Sequence, residues 1–183
     1  MRDEGVVLRT DRLILRPHIL GDFEDSFDMW SDPTTTEFIG GHPSTREECW
    51  SRFLRYVGMW PILGFGYWAI MERDTQTFVG EIGCAEFKRD IVPPISLPES
   101  GWAITRRARG KGYAEEALRA ALDWTDESLK IDGTTCIIAA DNRVSRRLAE
   151  KVGYKCVGSA VYKGNPLDVF TRKLGTLVPK KAN

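Results

Sequence analysis

The sequence has little that could hold a metal. Its two histidines are His18 and His42, and its four cysteines are Cys49, Cys84, Cys136 and Cys156, no two of them spaced as C-x-x-C. A structural zinc site needs closely spaced Cys and His ligands, so a metal-free protein is expected, with cysteines in apolar runs acting as small reduced hydrophobes. Net charge is also missing, because 26 Lys and Arg balance 26 Asp and Glu. A general nucleic-acid binder carries a basic excess, so nucleic acid is not an expected partner. Long apolar runs are absent too. The longest uncharged stretch, Tyr56 to Met71, is broken by Pro61, Gly64 and Gly66 and is shorter than the roughly 18–20 residues of a spanning helix. The opening Met1-Arg2-Asp3-Glu4-Gly5 has no apolar signal core. These absences predict a cytoplasmic protein without a membrane segment.

What is present fits one globular domain: 183 residues, 42% hydrophobic and 28% charged. The domain is read as 1–183, with a core over about 8–174 and a frayed tail from Gly175 that includes Pro179, Lys180 and Lys181. Arg12 to Pro17 alternates Leu13 and Leu15 with charges, the mark of a half-buried strand. Asp22 stands where it can cap a helix carrying Phe23, Phe27 and Trp30. Ser44 with Glu47 reads as a capping box, opening a helix that buries Trp50, Phe53, Leu54 and Val57. Strands at about Tyr67–Met71 and Phe78–Phe87 flank a polar turn and form a hairpin.

After the Pro-rich stretch Ile91–Pro98 come a strand at about Gly101–Thr105, a helix at about Tyr113–Ser128 and an apolar strand at about Thr134–Ala140. The helix turns Ala117, Leu118, Ala121 and Leu122 inward. A second helix, about Arg143–Lys151, turns Val144 and Leu148 inward and ends at Gly153. Strands at about Tyr154–Tyr162 and Asp168–Leu174 bracket a Gly164-Asn165-Pro166 turn. The order is β-α-α-β-β-β-α-β-α-β-β. The strand-helix-strand unit makes its two strands parallel, and the hairpins make the rest antiparallel. The fold class is a mixed α/β sheet covered by helices.

The most informative segment is Trp102-Ala103-Ile104-Thr105-Arg106-Arg107-Ala108-Arg109-Gly110-Lys111-Gly112-Tyr113-Ala114-Glu115. A strand ends, a basic glycine-containing turn follows, and a helix begins. Free N–H groups and the positive end of the helix dipole then converge on one point, which suits an anion. The plain alternative is a glycine-rich turn beside a solvated basic surface. The turn is neither a P-loop nor a dinucleotide fingerprint, since GxxxxGK[ST] is absent and Glu115 occupies the third glycine position.

Arg109-Gly110-Lys111-Gly112-Tyr113-Ala114 resembles the [QR]-x-x-G-x-[GA] coenzyme A signature of the Gcn5-related N-acetyltransferases. A shifted match runs from Arg107 to Gly112; the later register places the small Ala114 inside the helix, where a pyrophosphate can close on it. Asn142-Arg143-Val144-Ser145 with Gly153-Tyr154 resembles the family's N-x-x-[AS]…G-[FY] element. Leu8 to Pro17, followed by Asp22, resembles the opening of the branch that acetylates ribosomal-protein N-termini. Together these matches span about Leu8 to Leu174.

The resemblance implies an acetyl-CoA cosubstrate and an amine acceptor, a protein N-terminus or a small molecule, in a monomer or homodimer. It implies that the fourth and fifth strands of the family fold splay apart, and that Trp102, Ala103 and Ile104 pair with the pantetheine arm. The Ile104 N–H would face the thioester carbonyl, and Arg109, Gly110, Lys111, Gly112, Tyr113, Ala114 and Glu115 would hold the pyrophosphate. Asn142 would bond a pantetheine amide, cap its helix, or do both.

The family's usual tyrosine acid is replaced here by Ala149. The resemblance gives its role to Ser145; the alternative is a first-turn serine bonded to backbone. Tyr154 is read as core. Glu99 is the implied base, acting directly or through water, or else a solvated loop carboxylate. Glu81 and Glu86 compete with it, while Ile137 occupies the position of the base in other members. The acidic first helix (Asp22, Glu24, Asp25, Asp28) and Trp30, Phe38, Trp60 and Phe65 are read either as an amine channel or as core. Ile91–Pro98 is expected to form a lid or wall over the acceptor, or a dimer contact. Basic residues at Arg106, Arg107, Arg109 and Lys111, and at Arg143, Arg146, Arg147 and Lys151, are expected on a separate, phosphate-facing side. A non-catalytic acyl-CoA sensor of the same fold is the alternative function.

Overall fold

The computed structural model describes residues 5–177. The chain runs β1 (Leu8–Arg9), β2 (Leu13–Pro17), α1 (Phe23–Ser31), α2 (Pro33–Thr36), α3 (Arg46–Leu63), β3 (Tyr67–Glu72), β4 (Phe78–Ala85), β5 (Ile91–Val92), β6 (Glu99–Ile104), α4 (Tyr113–Ser128), β7 (Gly133–Ile138), α5 (Arg143–Lys151), β8 (Lys155–Tyr162) and β9 (Asn165–Lys173). The strands form one sheet in the order β1-β2-β3-β4-β6-β7-β9-β8-β5. Every neighbouring pair is antiparallel except β6 and β7, which are joined through α4 and lie parallel. This is the predicted mixed sheet.

Alternation along β3 separates two cores. Trp68 and Ile70 face α4 and α5, packing with Leu13, Leu15, Leu118, Leu122, Ala149, Tyr154 and Phe170. Ala69 and Met71 face the other way, against Phe23, Met29 and Trp30 of α1 and Phe53 of α3. Among the described residues no helix is long and apolar enough to cross a membrane.

Several local expectations shift. The capping box is Thr45 with Glu48, not Ser44 with Glu47. The Ser44 N–H is bonded instead to the Trp30 carbonyl at 2.9 Å. The buried face of α3 rotates accordingly: Cys49, Phe53, Tyr56, Met59 and Trp60 point inward, while Trp50, Leu54 and Val57 are about half exposed. Asp22 does not cap α1 with its side chain. Its two oxygens take the Arg16 guanidinium at 2.7 Å each, and one also accepts the Ile19 N–H. On α5, Ala149 and Leu148 face the core and Val144 is 79% exposed.

The last hairpin turns at Lys163-Gly164, both with positive φ (50° and 78°), so Asn165 and Pro166 lie in β9. Positive φ at both central residues is what a two-residue hairpin turn with the strands' own twist requires. Ile91–Val92 is a strand on the β8 edge (Ile91↔Tyr162, Val92↔Val161), and Glu99 is the first residue of β6 rather than a loop residue. Of the tail expected to fray, residues 178–183 lie outside the described residues. Gly175 donates its N–H to Asp126 at 2.9 Å.

A serine–threonine pair offers two cap registers, and the structure uses one. Thr45→Ala should cost about 1 kcal/mol in chemical denaturation, and Ser44→Ala should cost much less.

Candidate active site

The feature that organises the site is an interruption in the sheet. β6 pairs with β4 at six positions, Glu99↔Ala85 through Ile104↔Gly80, but with β7 only at Glu99↔Thr135. Past that point the two parallel strands separate, as the resemblance implied. Alternate residues of a strand turn their backbone polar groups to the same side. Pro98 offers its carbonyl to the Thr135 N–H at 2.9 Å, and Thr105 donates its N–H to Val79 on β4 at 2.9 Å. By this parity the backbone groups of Ser100, Trp102 and Ile104 face the gap, and those of Gly101 and Ala103 face β4.

The gap leads to the basic turn. Gly112 precedes α4 with φ 80°, and Gly110 has φ 76°. Positive φ at these two positions suits glycine, and a Cβ at Gly110 would meet nothing within 4 Å. No acceptor among the described residues is bonded to the backbone N–H groups from Gly110 to Glu115, and no side chain caps the helix. An open row of donors at a helix start fits a phosphate or pyrophosphate.

Two acidic residues in that first turn would repel an anion if left free. Glu115 is held by Lys151 at 2.6 Å and Arg119 at 3.0 Å. Glu116 accepts from the Thr10 hydroxyl at 2.6 Å, the Arg12 N–H at 2.9 Å and Arg12 Nε at 2.7 Å. Arg12 also bonds the Lys111 carbonyl at 2.9 Å, tying the turn to the start of β2. Burial pushes both carboxyls upward, and these partners outweigh it and hold both below the usual carboxylate range.

Two other arginines of the turn have partners elsewhere, while Arg106 is exposed. Arg109 forks onto Thr34 and Thr35 of α2, at 3.1 and 2.8 Å, and Arg107 reaches Asp25 and the Phe78 carbonyl. Arg106, Arg107 and Thr105 share a cleft of about 490 Å³ with Asp25, Asp28 and Asp32. The expected division into acidic and basic sides therefore fails here, because both signs line one cleft and Arg107 pairs with Asp25 across it. Lys111, Arg143 and Arg147 remain exposed, while Arg146 pairs with Asp168.

Asn142 caps α5: its side-chain oxygen accepts the Ser145 N–H at 3.0 Å, and no described residue holds its amide nitrogen. The Ser145 hydroxyl is half-buried and likewise unbonded. Glu99 is no solvated carboxylate. It is buried in a two-point pair with Arg89, at 2.7 and 2.8 Å. Glu81 is wholly buried and bonded to Ser26 at 2.6 Å, Trp30 at 2.7 Å and His18 at 3.3 Å. Burial raises the Glu81 carboxyl, but His18, Ser26 and Trp30 together hold it below its ordinary value. That network belongs to the core, with His18 Nδ1 left without a partner among the described residues. Glu86 is exposed and pairs with Lys88.

Pro93 to Leu97 line a cavity of about 240 Å³ with Thr135, Val157, Gly158, Ser159, Val169 and Thr171. It opens on the β7 residue that faces Glu99. Among the described residues no three His, Cys, Asp or Glu side chains gather as a metal site.

The acetyltransferase (GNAT) domain family model matches residues 12–155. The chain belongs to the GNAT acetyltransferases. The Bacillus subtilis protein YkkB is 29% identical over 110 residues, which cover 60% of this chain and 62% of YkkB. The N-acetyltransferase YoaA of the same organism is 26% identical over 153 residues, 83% of this chain and 84% of YoaA. A solved GnaT-family acetyltransferase from Bordetella pertussis superposes with a TM-score of 0.79 at 28% identity, covering 91% of this chain and 99% of that one.

In this GNAT chain the two halves of the expected site are contiguous. The β6 edge from Trp102 to Ile104 runs into the Arg109–Glu115 turn. Tyr154 is core, bonded to Thr134 at 2.6 Å and Ser100 at 2.9 Å. Trp30, Trp60 and Phe65 are buried, while Phe38 is 37% exposed. Sequence reading missed two partners at the site, Arg89 for Glu99 and Arg12 for Glu116. The Thr10-Asp11-Arg12 segment carries the branch resemblance, but nothing in its spacing points 104 residues ahead.

Because the folded Glu116 carboxyl is depressed, its contribution is present above the unfolded pKa and disappears as pH falls through the folded one. Glu116→Gln should destabilise the protein by about 1–2 kcal/mol at neutral pH. The deficit should vanish in acid, as read by denaturation across pH.

Proposed function

We propose that the chain is an acetyl-CoA-dependent N-acetyltransferase whose acceptor is a primary amine, a protein N-terminal α-amine or a small-molecule amine. The observation that carries the reading is the unpaired β6 edge continuing into six open N–H groups. An extended, amide-bearing arm ending in a pyrophosphate matches that shape. Acetyl-CoA supplies an activated acetyl thioester; the remaining tasks fall to this chain.

The turn from Arg109 to Glu115 holds the pyrophosphate through its backbone. Trp102 and Ile104 offer their gap-facing backbone groups to the arm, Ala103 between them being paired with Glu81 on β4, and the Asn142 amide nitrogen offers one further donor. The Ile104 N–H faces the gap, where a preorganised donor offsets charge developing on the carbonyl oxygen. Ser145, at the start of α5 with its hydroxyl unbonded, is the group proposed to hydrogen-bond the departing sulfur. Glu99 receives the amine's proton, directly or through water. Arg89 grips the Glu99 oxygens at 2.7 and 2.8 Å and fixes the carboxyl group in place. An α-amine, with an ordinary pKa of about 7.7–8.0, is already partly neutral at physiological pH and asks little of that base.

The resemblance of Leu8–Pro17 to the ribosomal-protein branch supports a protein N-terminus. The cavity beneath Pro93–Leu97 supports a wall of the acceptor site rather than a dimer contact, since it adjoins Thr135.

Calorimetry with acetyl-CoA tests the cosubstrate, and thiol release with peptides beginning in Ser, Ala or Met and with a diamine tests transfer. Binding with acceptor-dependent release is expected, and Ser145→Ala should lower kcat by about 100-fold with acetyl-CoA affinity unchanged. Binding without release from any acceptor would favour the sensor. Ser159→Phe, which fills the cavity, should raise the acceptor KM several-fold and leave acetyl-CoA affinity alone.

A further inference from the structure

Three residues on neighbouring strands line up across the sheet. Tyr67 of β3 pairs with Gly83 of β4, and Gly83 pairs with Gly101 of β6. A Cβ on Gly83 would lie 2.7 Å from Tyr67 Cγ, and a Cβ on Gly101 would lie 2.4 Å from the Tyr67 hydroxyl oxygen. The tyrosine ring therefore lies across the row. It starts over one glycine and ends over the next, where no other residue type would let it lie. Neighbouring strands are about 4.8 Å apart, so the ring carries the phenol oxygen from β3 past β4 to β6.

The destination matters. Gly101 and Glu99 are two residues apart, hence on one face of β6, and β6 is the strand whose far edge opens on the gap. Tyr56 of α3 stacks on the ring with centroids 4.3 Å apart and planes within 1°, and Phe87 packs at 5.8 Å. The ring is thus fixed. Its hydroxyl bonds to no described residue, yet it is not one of the three fully buried polar atoms left without a partner, which are His18 Nδ1, Thr105 Oγ1 and Arg172 Nε. Tyr67 is 5% exposed, so a rigidly held phenol oxygen with no partner among the described residues lies at the margin of the buried region, close enough to Glu99 for the two to interact. Burial, then the proximity of Tyr56 and Glu99, raises the phenol well above its ordinary pKa, so it stays neutral and cannot act as the base.

We propose that Tyr67 binds the acceptor, its hydroxyl oxygen accepting a hydrogen bond from the attacking amine and orienting that amine toward the gap beside Glu99. The role rests on the transferase reading above. A neutral amine carries two hydrogens while its lone pair attacks. Tyr67 accepts one as a hydrogen bond, and the second faces Glu99, whose oxygens keep free lone pairs beyond the Arg89 pair. No bond to Tyr67 forms or breaks, and it neither gains nor loses a proton.

The test uses the full chain with acetyl-CoA and the same Ser-, Ala- and Met-initiated peptides and diamine. Tyr67→Phe keeps the ring, its stack and the glycine row and removes only the oxygen. It should lower kcat/KM for the acceptor by roughly 5–10-fold, the worth of one hydrogen bond. Acetyl-CoA affinity, Tm and the shape of the pH profile should not move. Gly101→Ala, which displaces the ring while keeping the phenol, should reproduce the loss, and the double variant should add nothing. Unchanged acceptor kinetics in Tyr67→Phe, or a parallel loss of acetyl-CoA affinity, would overturn this role alone. Absence of acceptor-dependent thiol release from the wild type would overturn the transferase reading and this role with it.

Discussion

Everything at the site depends on one pairing, Glu99 with Thr135, the only registered contact between β6 and β7. Were the two strands paired along their length, the sheet would be closed and the β6 edge spent on β7. The long link through α4 makes a parallel arrangement natural but does not enforce full pairing. Each strand is anchored on its other side, β6 by β4 and β7 by β9 over six registered positions each. The two antiparallel halves are individually complete and meet at one point. The open wedge costs little backbone pairing that the halves do not already supply, and the unpaired N–H groups of β6 remain available.

The charges obey a related logic. The chain's balance of 26 against 26 is realised as local pairing rather than as two opposed faces. Arg12, Arg119 and Lys151 neutralise the first-turn carboxylates of α4, Arg107 meets Asp25, and Arg89 holds Glu99. The mouth of α4 combines its open backbone donors and helix dipole with the exposed cations Arg106, Arg109 and Lys111.

The legible parts of the structure were those written in short range. The helices at Tyr113–Ser128 and Arg143–Lys151 have the predicted bounds, because a glycine and an asparagine mark their starts and apolar spacing marks their length. The parallel strand pair followed from the strand-helix-strand order. α3 was read one residue out because Ser44-Thr45-Arg46-Glu47-Glu48 contains two capping boxes offset by one. A tertiary bond, from the Ser44 N–H to Trp30, decides between them. That one-residue slip turned the buried face by about 100° of helix and mistook Trp50, Leu54 and Val57 for core. The partners Arg89 and Arg12, and the row Tyr67-Gly83-Gly101, depend on which strands become neighbours. No local pattern carries that information.

Both outer margins of the sheet are blunt. β1 and β5 are two residues long, Pro93 and Pro94 follow β5, and β8 is kinked by a register shift between Cys156 and Gly158. Short, interrupted or proline-flanked margins give a stray strand nothing regular to add to. The protein thus separates two uses of the same backbone chemistry. At its periphery it resists the strand-to-strand association that leads to aggregation, and it keeps one regular unpaired run, on β6, inside the molecule. Only a chain slender enough to enter the wedge can use it.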